Sequence, residues 1–159
     1  MESKTAKDSA VIMSHVMLPE DANPSGNILG GVIMKHIDTT ATVVGMRHAR
    51  CNAVTASVDR LDFHYPAYVG NLLTLKGSIN MVGRTSMEIG VRAETEDLLT
   101  GKIRKIASAY LTLVGLDETG HTKELPRIIF KTEEEKRRNT EAIERRESRL
   151  REKKKKKKS

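Results

Sequence analysis

The sequence predicts an α+β domain in which one helix is laid against the concave face of one antiparallel β-sheet. Three observations carry that reading. Several segments rich in apolar and β-branched residues alternate with polar ones, a proline-free apolar stretch lies between the first of them and the rest, and the later segments are joined by short turns.

The elements follow in order. Ser9 to Leu18 (SAVIMSHVML) reads as a strand that Pro19 ends. Glu20 to Gly31 is dense in Asn, Pro, Ser and Gly, the chemistry of an ordered loop. From Val32 to about Ala49 there is no proline, and charge thins to Lys35, Asp38 and Arg47, which predicts a helix buried on most sides. Four further strands are expected at Ala53 to Phe63, Leu72 to Val82, Ser86 to Thr95 and Lys102 to Leu116. The links at Gly83-Arg84 and at Asp97 to Gly101 are short enough to favour antiparallel neighbours.

The chain of 159 residues fits one domain, expected over residues 9–130, followed by a charged tail over 131–159. That tail has almost no apolar residue and closes on six lysines, Lys153 to Lys158, so a frayed helix or disorder is expected there. Much of the formal net charge of +7 sits in it, so the basic balance describes the appendage more than the domain. With no Trp, two Phe and three Tyr, little is available for stacking nucleic-acid bases, and no specific nucleic-acid partner is expected. No apolar run reaches the roughly 18 residues of a membrane span, and the start lacks a secretory apolar stretch. The lone Cys51 can form no internal disulfide, and a cytoplasmic protein is expected.

Asp38 is the most informative residue. Its neighbours three and four positions away on a helix include Met34, Ala41 and Thr42, so a carboxylate stands on an apolar stripe. Such a group must be hydrogen-bonded, raised in pKa, or placed beside a cavity or interface. A structural role against a neighbouring subunit and a catalytic role both fit. Gly30-Gly31 lies where a helix's unpaired N–H groups point outward, which suits a developing oxyanion, and equally suits a tight turn. Asn23 and Asn27 can bind a carbonyl or a water, or brace the loop. The turn Gly83-Arg84-Thr85-Ser86 offers a guanidinium and two hydroxyls to a phosphate, or is a solvated hairpin tip. His15, His36, His48, His64 and His121 show no metal-ligand spacing, and neither a metal nor a cofactor is expected. There is no Gly-x-Ser-x-Gly elbow, Walker loop or dinucleotide fingerprint.

Taken together, NPSGNILGGVIMKHIDTTA and VDRLDFHYPAYVGNLLTLKGSINMVGRTSMEIGVRAE resemble the acyl-CoA hydrolases of the hotdog superfamily, from about Met13 to Pro126. The similarity is greatest to the bacterial YciA-type and cytosolic long-chain acyl-CoA hydrolase group. The resemblance implies an acyl-CoA thioesterase that pairs edge to edge into a dimer, commonly three dimers to a hexamer. It implies that Asp38 is the catalytic carboxylate, as general base or nucleophile, and that Asn23 reaches the same site from a different unit, so that a monomer is inactive. A backbone N–H near Gly30 or Gly31 would polarise the thioester carbonyl, Gly83 to Ser86 would contact CoA with Arg84 near its phosphates, and Met34 and Ile37 would line the acyl tunnel. A hotdog module that binds CoA thioesters without cleaving them is the alternative. A dehydratase is disfavoured, because no His with a carboxylate partner stands on the helix.

Overall fold

Alternation along the strands sorts their side chains onto two faces. In the computed structural model, which describes residues 1–158, the elements in chain order are β1 (Lys4–Thr5), α1 (Ala6–Ser9), β2 (Val11–Val16), α2 (Gly30–Ala49), β3 (Asn52–Phe63), β4 (Leu72–Val82), β5 (Ser86–Glu96), β6 (Ile103–Leu116), β7 (Ile128–Ile129) and α3 (Glu133–Lys158). The five long strands form one antiparallel sheet in the order β2-β4-β5-β6-β3. On β5, Met87, Ile89, Val91 and Ala93 are buried toward α2, while Glu88, Gly90, Arg92 and Glu94 alternate onto the outer face. The stripe that α2 presents to the sheet is Ile33, Ile37, Ala41, Val44 and Gly45. Helix and sheet approach so closely at Gly45 that a Cβ there would sit 3.0 Å from Leu113 Cδ2 and Met87 Cε. The predicted hotdog architecture is therefore present.

The differences have local causes. The helix begins at Gly30, so the glycine pair forms its first turn instead of ending the loop; the first N–H groups of a helix need no acceptor within it, and glycine is tolerated there. The two-stranded parallel pairing of β1 with β7, which ties the N-terminus to the chain after β6, is too short to leave a periodic signal. No helix among the described residues is long and apolar enough to cross a membrane.

In the tail, residues 133–158 form a continuous helix. A capping box starts it: Thr132 Oγ1 accepts from the Glu135 N–H at 3.1 Å, and the Glu135 carboxylate accepts from the N–H groups of Thr132 and Lys131. Its docking onto the outer face of the sheet is polar. The Glu88 side chain, wholly buried, accepts two hydrogen bonds from Arg145 at 3.0 and 2.6 Å and one from Asn80 at 3.1 Å. Burial acts against the Arg145 cation, yet the hydrogen bonds and charge of Glu88 outweigh it and raise the guanidinium's pKa. Arg145 also lies over the Tyr110 ring, 3.7 Å from its centroid, Arg149 binds Asp59, and Asn139 Nδ2 donates to the Asn80 carbonyl at 3.0 Å. Counting apolar residues misses such a helix, because its anchors are charges whose partners lie on distant strands.

One buried base is held neutral. His48 on α2 is fully buried; its Nε2 lies 2.7 Å from the Pro126 carbonyl, which can only accept, so the proton is on Nε2 and the partnerless, buried Nδ1 is bare. Burial holds its pKa below the ordinary value, with the Pro126 hydrogen bond opposing. The unfolded chain therefore takes up a proton near pH ~6.5 that the folded chain refuses, and stability contributed by this site is lost as pH falls below that value. Thermal unfolding should show a fall in Tm between about pH 7 and 5 that His48→Gln, which keeps a donor to Pro126, reduces.

Candidate active site

The helix places Asp38 toward β3, the strand at one margin of the sheet. There the Thr55 hydroxyl donates to Asp38 Oδ1 at 2.5 Å, and no other hydrogen bond to the carboxylate comes from the described residues. Asp38 is half-buried, so the carboxylate is oriented by one donor and keeps its second oxygen available. Thr55 is the functional candidate that the sequence reading passed over. Its register partner is Leu113, a core residue, so a hydroxyl stands at an inward-facing strand position; in the sequence Thr55 falls in the polar set of an alternation whose apolar members are Val54, Ala56 and Val58, and the bulge after Thr55 hides its inward direction.

β3 pairs with β6 on one side, and no strand among the described residues covers its other edge. The N–H and C=O groups along that edge are open to a further strand. Asp38 therefore sits beside the one margin of the domain where Thr55 also stands.

The N-terminus of α2 supplies the second feature. Leu29 caps it without a side-chain hydrogen bond, and its carbonyl accepts from Val32 at 3.0 Å and Ile33 at 3.4 Å. No acceptor among the described residues takes the Gly30 and Gly31 N–H groups, and both residues are exposed. These donors and the helix dipole make the end attractive to negative charge. A Cβ on Gly30 would meet Phe63 at 3.7 Å, while one on Gly31 would meet nothing within 4 Å.

Asn23 sits in a firmly built loop. Its Oδ1 accepts from the N–H groups of Ser25 at 2.9 Å and Asn27 at 3.1 Å, and its own N–H donates to the Asn27 carbonyl at 2.8 Å. Among the described residues the Asn23 Nδ2 group has no hydrogen-bond partner. Asn27 joins the loop through its backbone N–H and C=O.

These groups do not converge within one chain. Eight residues of helix separate Gly30 from Asp38, roughly 12 Å at 1.5 Å per residue, and among the described residues no hydrogen bond joins Asn23 to Asp38. The Gly83-Arg84-Thr85-Ser86 turn lies at the opposite end of the sheet from Gly30: Ser86 aligns with Val114 and through it with Val54, whereas Gly30 approaches Phe63 at the far end of β3. Arg84 is exposed there, and the Arg84 and Thr85 carbonyls accept from Leu125 and Gly115. Met34 is partly buried, and Ile37 is wholly enclosed in the core. A groove of about 680 Å³ lies between α3 and the outer face of the sheet and is lined by none of these residues. Among the described residues no three His, Cys, Asp or Glu side chains gather as a metal site.

Comparison with known proteins meets this geometry. Residues 25–102 match the family model described as Thioesterase superfamily. Over 93% of this chain and 86% of its own length, an acyl-CoA thioester hydrolase YkhA of Bacillus subtilis, uncharacterized by its name, is 34% identical. A hexameric acyl-CoA thioesterase solved without ligand superposes with a TM-score of 0.91 at 39% identity, covering 96% of this chain and 97% of that one. An acyl-CoA hydrolase of Staphylococcus aureus, solved with butyryl coenzyme A, coenzyme A and coenzyme A disulfide, gives a TM-score of 0.89 at 31% identity over 98% of this chain and 95% of that one. It has also been solved with one aspartate, one asparagine or one threonine replaced by alanine. By fold and by sequence, the chain belongs to the thioesterase superfamily, among its acyl-CoA thioester hydrolases.

Proposed function

We propose that this protein hydrolyses the thioester of fatty acyl-CoA to the free acid and CoA, with Asp38 as general base in a site completed by a second copy of the chain. The observation that carries the reading is a half-buried carboxylate, oriented by Thr55, at the uncovered edge of β3.

Support comes from the Staphylococcus aureus enzyme, whose replaced asparagine, aspartate and threonine follow one another at the same intervals as Asn23, Asp38 and Thr55 do here. The ligands of that enzyme are CoA and a CoA thioester. The solved hexamer shows that a closely similar chain assembles.

Pairing β3 antiparallel with the β3 of a second copy closes the β3 edge of each copy and makes one continuous sheet. Because the partner strand runs the other way, the Gly30 end of one protomer comes beside the Gly83 end of the other. This removes the difficulty that the groups are far apart within one chain. Asp38 of one protomer draws a proton from water, whose oxygen attacks the thioester carbonyl; Asn23 Nδ2 and the Gly30 or Gly31 N–H of the other protomer hold the carbonyl oxygen as it becomes negative. Collapse of the tetrahedral intermediate breaks the C–S bond, and the CoA thiolate leaves and takes up the proton. Arg84 and the hydroxyls of Thr85 and Ser86 contact the CoA phosphates.

Two outcomes test this. On a panel of acyl-CoA chain lengths assayed by free thiol, Asp38→Asn should lower kcat by about 10²–10⁴-fold while CoA binding is retained; unchanged thiol release would remove Asp38 from the mechanism. Gly31→Ala should leave Tm unchanged or raised, since its Cβ meets nothing and alanine favours a helix by about 1 kcal/mol, yet lower kcat/KM by crowding the approach to the N–H groups. A variant that is fully active would place the oxyanion contact elsewhere.

A further inference from the structure

The path of α3 over the sheet extends the dimer reading just proposed, on which this inference rests. Asn139 binds over β4, Arg145 over β5 and β6, and Arg149 reaches Asp59 on β3 while its Nη1 also lies 3.8 Å from Glu88 on β5. The helix thus crosses the strands in their spatial order and reaches the margin of the sheet at Arg149. The distances agree: from Asn139 to Arg149 the helix rises roughly 15 Å, and three strand spacings amount to about 14 Å. Beyond Arg149 the helix continues to Lys158, about another 13 Å, past the edge of β3.

We propose that this overhanging end of α3 is a clasp that lies across a second copy of the chain, antiparallel to the partner's own α3. The occupant follows from continuity and charge. A strand added to β3 puts the two-fold axis about half a strand spacing beyond Arg149, near residue 150. Leu150, 48% exposed, then meets its own symmetry copy, and Ile143, 42% exposed, lies two turns away on the same flank. An antiparallel pair about that axis sets Lys154 beside the partner's Glu147 and Lys157 beside the partner's Glu144. Along the helix Lys153 and Lys157, and Lys154 and Lys158, are like charges four residues apart, which is unfavourable. The carboxylates at positions 144 and 147 of a second α3 offset part of that repulsion, and the two exposed leucine side chains cover each other.

The test uses the full chain carrying Cys51→Ser, with Leu150→Cys as probe and Thr140→Cys as control. Mild oxidation should convert most of the Leu150→Cys protein into a covalent dimer and leave Thr140→Cys uncoupled. In parallel, Lys154→Glu with Lys157→Glu should weaken self-association about ten-fold by sedimentation, and adding Glu144→Lys with Glu147→Lys should restore it. If the protein associates but position 150 does not cross-link, or the charge reversal changes nothing, the clasp is wrong and the end of α3 serves another anionic surface. A protein that sediments as a monomer at all concentrations overturns the β3 pairing itself, and the clasp with it.

Discussion

The arrangement depends on where one negative charge can be kept. A carboxylate on the core-facing side of a helix is costly unless something donates to it, and Asp38 finds its donor in Thr55. Since Thr55 stands on the strand with an uncovered edge, orienting the charge and leaving a margin for assembly are the same structural fact. The donors that could hold an oxyanion lie at the start of the same helix, two turns and more away, and cannot serve this carboxylate within one chain. Chemistry that uses both therefore requires pairing, and the fold supplies the edge for it.

Charge also organises the outer face. Glu88 alternates away from the core on β5, and burial there is tolerable only because Arg145 and Asn80 satisfy its oxygens. Through that pair, through Arg149 and Asp59, and through the single buried apolar side chain Ala142, a helix with hardly any apolar surface is fixed in direction. The sheet is thus sandwiched between a helix held by packing and a helix held by ion pairs. The second should respond to salt and to substitution of single charges more than the first.

Most of the fold was legible because its signals are local. The break at Pro19, the proline-free stretch before Ala49 and the turns at Gly83 and Gly101 mark element boundaries to within a few residues. The course of α3 was not legible, since the partners of Arg145 and Arg149 are 57 and 90 residues away in the chain. At the site, Asp38 announced itself as a charge out of place, and the glycine pair as a gap at a helix start. Thr55 did not, because a threonine in a strand is ordinary until the core-facing direction of its side chain is known. The loop's use of Asn23 Oδ1, which leaves only the amide nitrogen to act, likewise depends on a turn whose hydrogen bonds composition cannot specify.

The central claim is that one active site draws Asp38 from one protomer and Asn23 from another. Mixing two inactive variants, Asp38→Ala and Asn23→Ala, under conditions that exchange subunits measures this directly by thiol release. If the site is shared, each mixed dimer holds one intact site, and turnover should return to roughly one quarter of the wild-type value. If both residues act within the same protomer, every site in the mixture stays defective, and the absence of any recovery after verified exchange would contradict the account.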